Sequence, residues 1–207
     1  MKVILVNGSP DRHGCTATAL AEVAAALERE GIETEMFHIG GKPISGCLGC
    51  GRCNDSDRCF IDDCVNDFID RAASADGFVF GSPVYFASAN GAMTAFMDRV
   101  FYAAPREMFF MKPAAAVASA RRAGTTVTLD QLNKYFMITQ MLIVSSQYWN
   151  MVHGNTPDEV RQDLEGLQIM RTLGKNMAYM LRCLEAGRAA GVPLPAREAR
   201  VATNFIR

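Results

Sequence analysis

Four of the seven cysteines, Cys47, Cys50, Cys53 and Cys59, fall within thirteen residues in the pattern C-x2-C-x2-C-x5-C. Three thiolates at two-residue gaps can wrap one small inorganic centre, and Gly46, Gly49 and Gly51 between them let the backbone turn tightly around it. The run differs from that of bacterial ferredoxins, where the last gap is three residues, a proline follows and the fourth cysteine serves a second cluster. Here Phe60 follows, and Cys15, Cys64 and Cys183 cannot build a second run, so one centre with Cys59 as fourth ligand is the economical reading. A structural zinc would also accept four thiolates, although such sites usually pair two separated C-x2-C knuckles. Free thiols are the third reading, and His13, His38 and His153 are too scattered to form a metal site of their own.

A second chemical signal is the segment from Asn7 to Thr16, which joins an apolar run to a helical pattern. A tight turn at a helix N-terminus binds an anion, because unpaired backbone N–H groups and the helix dipole point at one spot. Ser9 and Thr16 offer hydroxyls, Gly8 and Gly14 allow close approach, and Arg12 adds positive charge. There is no G-x-x-x-x-G-K-[ST] loop and no G-x-G-x-x-G after the strand, so neither a P-loop NTPase nor a Rossmann dinucleotide site is indicated. An ordinary polar strand-to-helix turn is the alternative.

These loops need elements to hold them. Val3 to Val6 is apolar without alternation, which suits a parallel strand covered on both faces, and Leu20, Val23, Ala24 and Leu27 then recur at helical spacing up to Gly31. A second strand is expected around Thr34 to His38, followed by the cysteine loop and a helix with Val65, Phe68, Ile69 and Ala72 on one face. Phe78 to Phe80, Ala114 to Ala118 and Met141 to Val144 read as further strands, with helices over 89–102 and 126–139 between them. Thr156, Pro157 and Glu159 form an N-terminal capping signature for one last helix that Gly187 closes. Five alternations of strand and helix predict a doubly wound α/β domain with a five-stranded parallel sheet and helices on both faces. The expected division is a domain over 1–187, with the cysteine loop 45–64 inserted after strand two, and an extended arm over 188–207. That arm could cross to a partner subunit or lie over its own domain.

The 207 residues carry 21 Lys+Arg and 22 Asp+Glu, a net charge of −1, which argues against a nucleic-acid binder held by bulk electrostatics. The uncharged stretches 77–97 and 135–157 contain Ser82, Pro83 and Asn90, and Gln140, Gln147 and Asn150, so neither reads as a membrane span. Lys2 is followed by only four apolar residues before the turn, unlike a secretory signal, and a cytoplasmic location is expected.

Four motifs together resemble a known family. They are the G-S-P loop after strand one, Ser82-Pro83-Val84-Tyr85-Phe86 after strand three, Phe96-Met97-Asp98-Arg99, and Ser119 to Thr125 after strand four. This combination resembles the NAD(P)H-dependent FMN reductase group of flavodoxin-like proteins, over most of the chain. The resemblance implies a sheet order 2-1-3-4-5 with ligands at the carboxyl ends of the strands, where the winding reverses. It implies that Ser9, Arg12, Cys15 and Thr16 hold the FMN phosphate, that Pro83, Val84, Tyr85 and Phe86 run beside the isoalloxazine, and that Ala120, Arg121, Arg122 and Gly124 close its other side. Asp11 and Cys15 depart from the group, which commonly has a basic residue and Asn there. A compact cysteine motif after strand two is similar to that of the iron–sulfur flavoprotein branch. By that likeness Cys47, Cys50, Cys53 and Cys59 would carry a [4Fe-4S] cluster at the same end of the domain as the flavin, in a homodimer or homotetramer.

The expected function is therefore an FMN-dependent oxidoreductase passing electrons between cluster and flavin. NAD(P)H is a possible reductant, and a small molecule or a ferredoxin-type protein the electron partner. No G-x-S-x-G elbow, H-E-x-x-H motif or carboxylate pair suggests a separate catalytic residue. A cluster-free FMN or quinone reductase is the second reading, and a noncatalytic sensing or binding module on the same scaffold the third.

Overall fold

The computed structural model describes residues 1–199, 201–203 and 205. Its elements are β1 (Lys2–Asn7), α1 (Cys15–Arg29), β2 (Glu33–His38), α2 (Cys64–Ala72), β3 (Gly77–Tyr85), β4 (Ser88–Ala89), α3 (Gly91–Ala103), β5 (Pro113–Ala120), α4 (Thr125–Ile138), β6 (Leu142–Ile143), β7 (Met151–His153), α5 (Pro157–Gln162) and α6 (Leu164–Ala189). The uninterrupted apolar run of β1 is explained by two-sided burial. Val3 and Leu5 pack with α1 and α6, whereas Ile4 and Val6 pack with α2 and α3. On the second face Phe68 meets Phe96 edge-on at 5.2 Å and Phe37 at 5.4 Å between ring centres. On the first, α1 and α6 approach so closely that a Cβ on Gly174 would stand 2.6 Å from the Ala26 methyl.

The sheet runs β2-β1-β3-β5-β6, which is the flavodoxin-like order. Two details correct the expectation of five parallel strands. The outer position beside β5 is filled by two short pieces, β6 opposite Pro113 and Ala114, and β7 opposite Ala118 to Ala120. Between them the Ser146 hydroxyl bonds Tyr148 O at 2.7 Å and Asn150 Oδ1 at 2.8 Å, and such local bonds compete with a strand ladder. The second detail is that β4 pairs antiparallel with the end of β3, so the sheet is not wholly parallel.

The single last helix is also corrected, because it is two. Thr156 caps α5 by accepting the Glu159 N–H, as the capping signature requires. The helix then stops at Asp163, whose carboxylate accepts the His153 N–H at 2.7 Å and the Gly166 N–H at 2.9 Å and so opens α6. Asp163→Ala removes both acceptors, with an expected loss of about 1–2 kcal/mol. A lower urea midpoint at unchanged slope would show it. The end of α6 is set at Gly191, which holds φ +78, and not at Gly187. Beyond it Arg197 pairs with Glu107 and lies 5.2 Å from the Phe110 ring centre. Within the arm expected over 188–207, residues 200, 204, 206 and 207 lie outside the described residues. No described helix is long and apolar enough to cross a membrane.

Candidate functional site

The loop after β1 is organised by the buried Asn7. Its Oδ1 accepts the Ser9 N–H at 3.0 Å and its amide donates to Arg12 O at 3.4 Å. Ser9 Oγ accepts the Asp11 N–H, and the Asp11 carboxylate accepts the His13 N–H at 2.9 Å, so that acid is used within the loop. No side chain caps α1 at Gly14 and no acidic residue stands in its first turn, which leaves the amides of that turn to an anion. Thr16 is buried, with its hydroxyl 2.8 Å from Ser119 Oγ, and thus fastens α1 to the end of β5. Cys15 donates to Gly154 O at 3.6 Å, and burial pushes its thiol pKa up in spite of the helix N-terminus. Cys15 is therefore a packed thiol and not an activated one.

The other two loops meet beside this one. At the end of β3, Phe86 and Ala87 turn with φ 50 and 60, and Val84 and Tyr85 pair with Ala89 and Ser88. Phe86 stands fully exposed and Tyr85 half-exposed. Gly124, at φ +91, fits against this hairpin so tightly that a Cβ would lie 2.6 Å from Ala87 Cα and 2.8 Å from Val84 Cγ1. Pro83 is in register with Ser119, Ala120 is buried at the end of β5, and Arg121 and Arg122 are exposed just beyond it. The structure thus brings Ser9 to Thr16, Pro83 to Phe86 and Ala120 to Gly124 to one sheet edge.

Sequence reasoning missed what ties these loops together. Asn90 donates to Gly8 O at 2.6 Å, accepts the Met93 N–H as cap of α3, and takes Ser82 Oγ through its own N–H. Gln131 accepts from both Ser88 and Ala89. From the other side His38 Nε2 meets Ser9 O at 2.8 Å, and Gly40 packs directly on the Ser9 backbone. The only signal available for Asn90 was its place in the first turn of a helix expected over 89–102, whereas it caps a helix that starts at Gly91. A cavity of about 670 Å³ is lined by Arg12, His13, His38 and Arg161 among others, and by none of Pro83–Phe86 or Ala120–Gly124.

The cysteine loop is irregular except for one 3-10 turn, Arg52–Asp55, and it reverses at Gly49 and Gly51, with φ +61 and +69. Cys47, Cys50, Cys53 and Cys59 all line one small pocket together with Phe60, Arg99 and Tyr102. Among the described residues no three His, Cys, Asp or Glu side chains converge on a single metal ion. The Cys53 thiol pKa is raised, first by burial and then by the neighbouring Cys50, Cys59 and Cys47. Cys59 is the most firmly held, since Asn66 accepts its N–H at 2.9 Å and donates to its carbonyl at 3.0 Å. Arg99, only 1% exposed, donates Nε–H to Cys59 Sγ at 3.2 Å and its two terminal nitrogens to Asp63 at 2.7 and 2.9 Å.

The pocket does not lie level with the loops after β1, β3 and β5. Asn90 at the start of α3 is tied to Gly8, whereas Arg99 is nine residues further along, about 13 Å by helical rise, and Tyr102 further still. The cysteines therefore hang down the flank of α3. Nearby Cys64 starts α2 half-buried, and burial, then Asp63, pushes its thiol pKa up to about 11. Its neutral form is favoured in the folded state, so that share of stability is present below pH 9 and is lost as the pH rises through about 11. Alkylation of Cys64 followed by mass spectrometry should accordingly climb up to about pH 11.

Comparison with known proteins bears on the family and the fold. The family model described as NADPH-dependent FMN reductase matches residues 1–156. An iron–sulfur flavoprotein of Methanocaldococcus jannaschii is 32% identical over 195 residues, covering 89% of this chain and 100% of the relative. Among solved structures, RosB with bound 8-demethyl-8-formylriboflavin-5′-phosphate superposes with a TM-score of 0.70 at 15% identity, over 100% of this chain and 94% of that one. A flavodoxin from the domain Archaea gives 0.60 at 15% identity, over 88% and 99%. The two structural likenesses establish the fold alone.

Proposed function

Because the chain belongs to the NADPH-dependent FMN reductase and iron–sulfur flavoprotein family, it is a flavin-dependent oxidoreductase, and we propose that it passes electrons between FMN and a [4Fe-4S] cluster held by Cys47, Cys50, Cys53 and Cys59. The observation that supports the cluster is that Cys47, Cys50, Cys53 and Cys59, spaced as C-x2-C-x2-C-x5-C, all line one small pocket, in a chain whose relatives are named iron–sulfur flavoproteins.

The uncapped first turn of α1, with Ser9 and Arg12, suits the FMN phosphate. Thr16 and Cys15 contribute their backbone N–H groups, since the hydroxyl and thiol are engaged elsewhere. Pro83, Val84, Tyr85 and Phe86 form an apolar and aromatic wall for the ring, opposite Ala120, Arg121, Arg122 and Gly124. FMN held there would supply the redox chemistry, by hydride or single-electron transfer. Arg121 and Arg122 place positive charge where a reduced, anionic flavin or an anionic reductant such as NAD(P)H would sit. Exposed Cys47 and Cys50 put one side of the cysteine pocket at the surface, within reach of a small-molecule or ferredoxin-type partner or of a second subunit in a homodimer or homotetramer.

The test is protein purified without oxygen, with FMN, iron and acid-labile sulfide counted per chain. About four iron and four sulfide per FMN are expected. Flavin without iron, even after reconstitution, would leave a cluster-free reductase. Addition of NADPH under the same conditions separates direct reduction by nicotinamide from reduction through a protein donor.

A further inference from the structure

The cysteine pocket has one fully buried charged side chain in its wall, and nothing in the flavin site uses it. Arg99 sits on the buried face of α3, between Phe96 and Val100, where a basic residue is otherwise costly. Its guanidinium is spent wholly on the cysteine loop. Nε–H points at Cys59 Sγ at 3.2 Å, Nη1 and Nη2 pair with Asp63, Nη2 also reaches Ile61 O at 2.8 Å, and Nη1 reaches Ser45 O at 3.4 Å. Both ends of the loop are therefore fastened to one cation. The charged hydrogen bond ends on a sulfur and not on a backbone oxygen, which structural anchoring alone does not require.

We infer that Arg99 is a positioning residue that raises the reduction potential of the centre bound by Cys59, with Asp63 setting how much of its charge the sulfur feels. The inference rests on the cluster reading above. When the centre takes up one electron, the cluster with its thiolates gains one negative charge and no bond is made or broken. A hydrogen-bond donor and a positive charge at a ligand sulfur stabilise the more negative, reduced form, and so move the potential upward. Burial strengthens the effect, because little water screens the guanidinium from the sulfur. Asp63 opposes it, being a carboxylate on the far side of the same guanidinium.

Two substitutions are expected to shift the potential in opposite directions. Arg99→Gln removes the charge and keeps an amide. Asp63→Asn removes the opposing charge and keeps an N-cap for α2, where Asp63 now accepts the Val65 N–H. An EPR-monitored dithionite titration of the anaerobic holoprotein reads the cluster potential, and the flavin couple in the same sample is the internal reference. In Arg99→Gln the one-electron reduction equilibrium should become about tenfold less favourable, a fall of about 59 mV. In Asp63→Asn the potential should rise, with the flavin couple unmoved in both.

Variants that retain their iron and show no shift, or shifts of the same sign, would overturn the inference. If Arg99→Gln cannot retain iron, Asp63→Asn decides alone, upward for and unmoved or downward against. A wild-type protein without iron after reconstitution would remove the cluster reading itself, and this inference with it, which an iron assay distinguishes from an unshifted potential.

Discussion

Cys59→Ala is expected to abolish iron and acid-labile sulfide while leaving FMN bound at about one per chain. Of the four thiols, Cys59 is the one whose position is set by other parts of the fold. Asn66 grips both of its backbone polar groups, and Arg99 donates to its sulfur. Cys47 and Cys50 are exposed on a loop that turns through Gly49 and Gly51, and can adapt to whatever centre they hold. Loss of the rigid ligand should therefore reduce iron from about four per FMN to near zero. The loops proposed to hold FMN should survive, because they lie at the other end of α3 and are joined through Asn90, Gly8 and Ser82 without using Cys59. Cys64→Ser is the control. Cys64 is half-buried in the same core and lies outside the pocket that the four thiols line, so its removal should leave iron unchanged. The opposite pattern, iron kept in Cys59→Ala and lost in Cys64→Ser, would transfer the fourth ligand to Cys64.

Much of this arrangement could be read from residue order because its causes are local or periodic. The apolar run Val3 to Val6 announces a strand covered on both faces, and the packing of its alternate residues onto α1 and α6 or onto α2 and α3 is that prediction realised. The capping signature at Thr156 to Glu159 is local too. What escaped was decided by contacts between distant residues. Asp163 ends a periodic pattern because its carboxylate meets the amide of His153, in a strand that the pattern does not reveal. The outer strand divides because Ser146 and Asn150 bond each other. Topology places the start of the cysteine loop, at His38 beside Ser9, but not its middle, which is long enough to follow α3 down to Arg99. Arg99 itself reads in the sequence as one of two charges, with Asp98, in an otherwise uncharged helix. Only the partners at Cys59, Asp63 and Ile61 give it a role.

Gly40 is the sharpest case of a site residue with no sequence signal, and its substitution should have the second large effect. A Cβ there would stand 1.9 Å from Ser9 O, 2.5 Å from Ser9 C and 2.7 Å from Pro10 Cα. All three are backbone atoms, so no rotamer change relieves the overlap and the Ser9–Pro10 segment must move. That segment is held from within by Asn7 and from outside by His38, whose Nε2 lies 2.8 Å from Ser9 O, so displacement disturbs both. Gly40→Ala is therefore expected to weaken FMN binding at least tenfold, about 1.4 kcal/mol. The change should be concentrated on the phosphate, because the atoms nearest a Gly40 Cβ belong to Ser9 and Pro10, whereas those nearest a Gly124 Cβ belong to the Val84–Ala87 hairpin proposed to flank the ring. Titration of deflavinated protein with FMN and with riboflavin, followed by flavin fluorescence, distinguishes the two parts. FMN affinity should fall while riboflavin affinity holds, bringing the two ligands closer together. Equal losses for both would mean that the whole sheet edge had shifted. An unchanged FMN affinity would show that the phosphate is not held by the loop from Ser9 to Thr16, and would take the phosphate assignment away from Ser9 and Arg12.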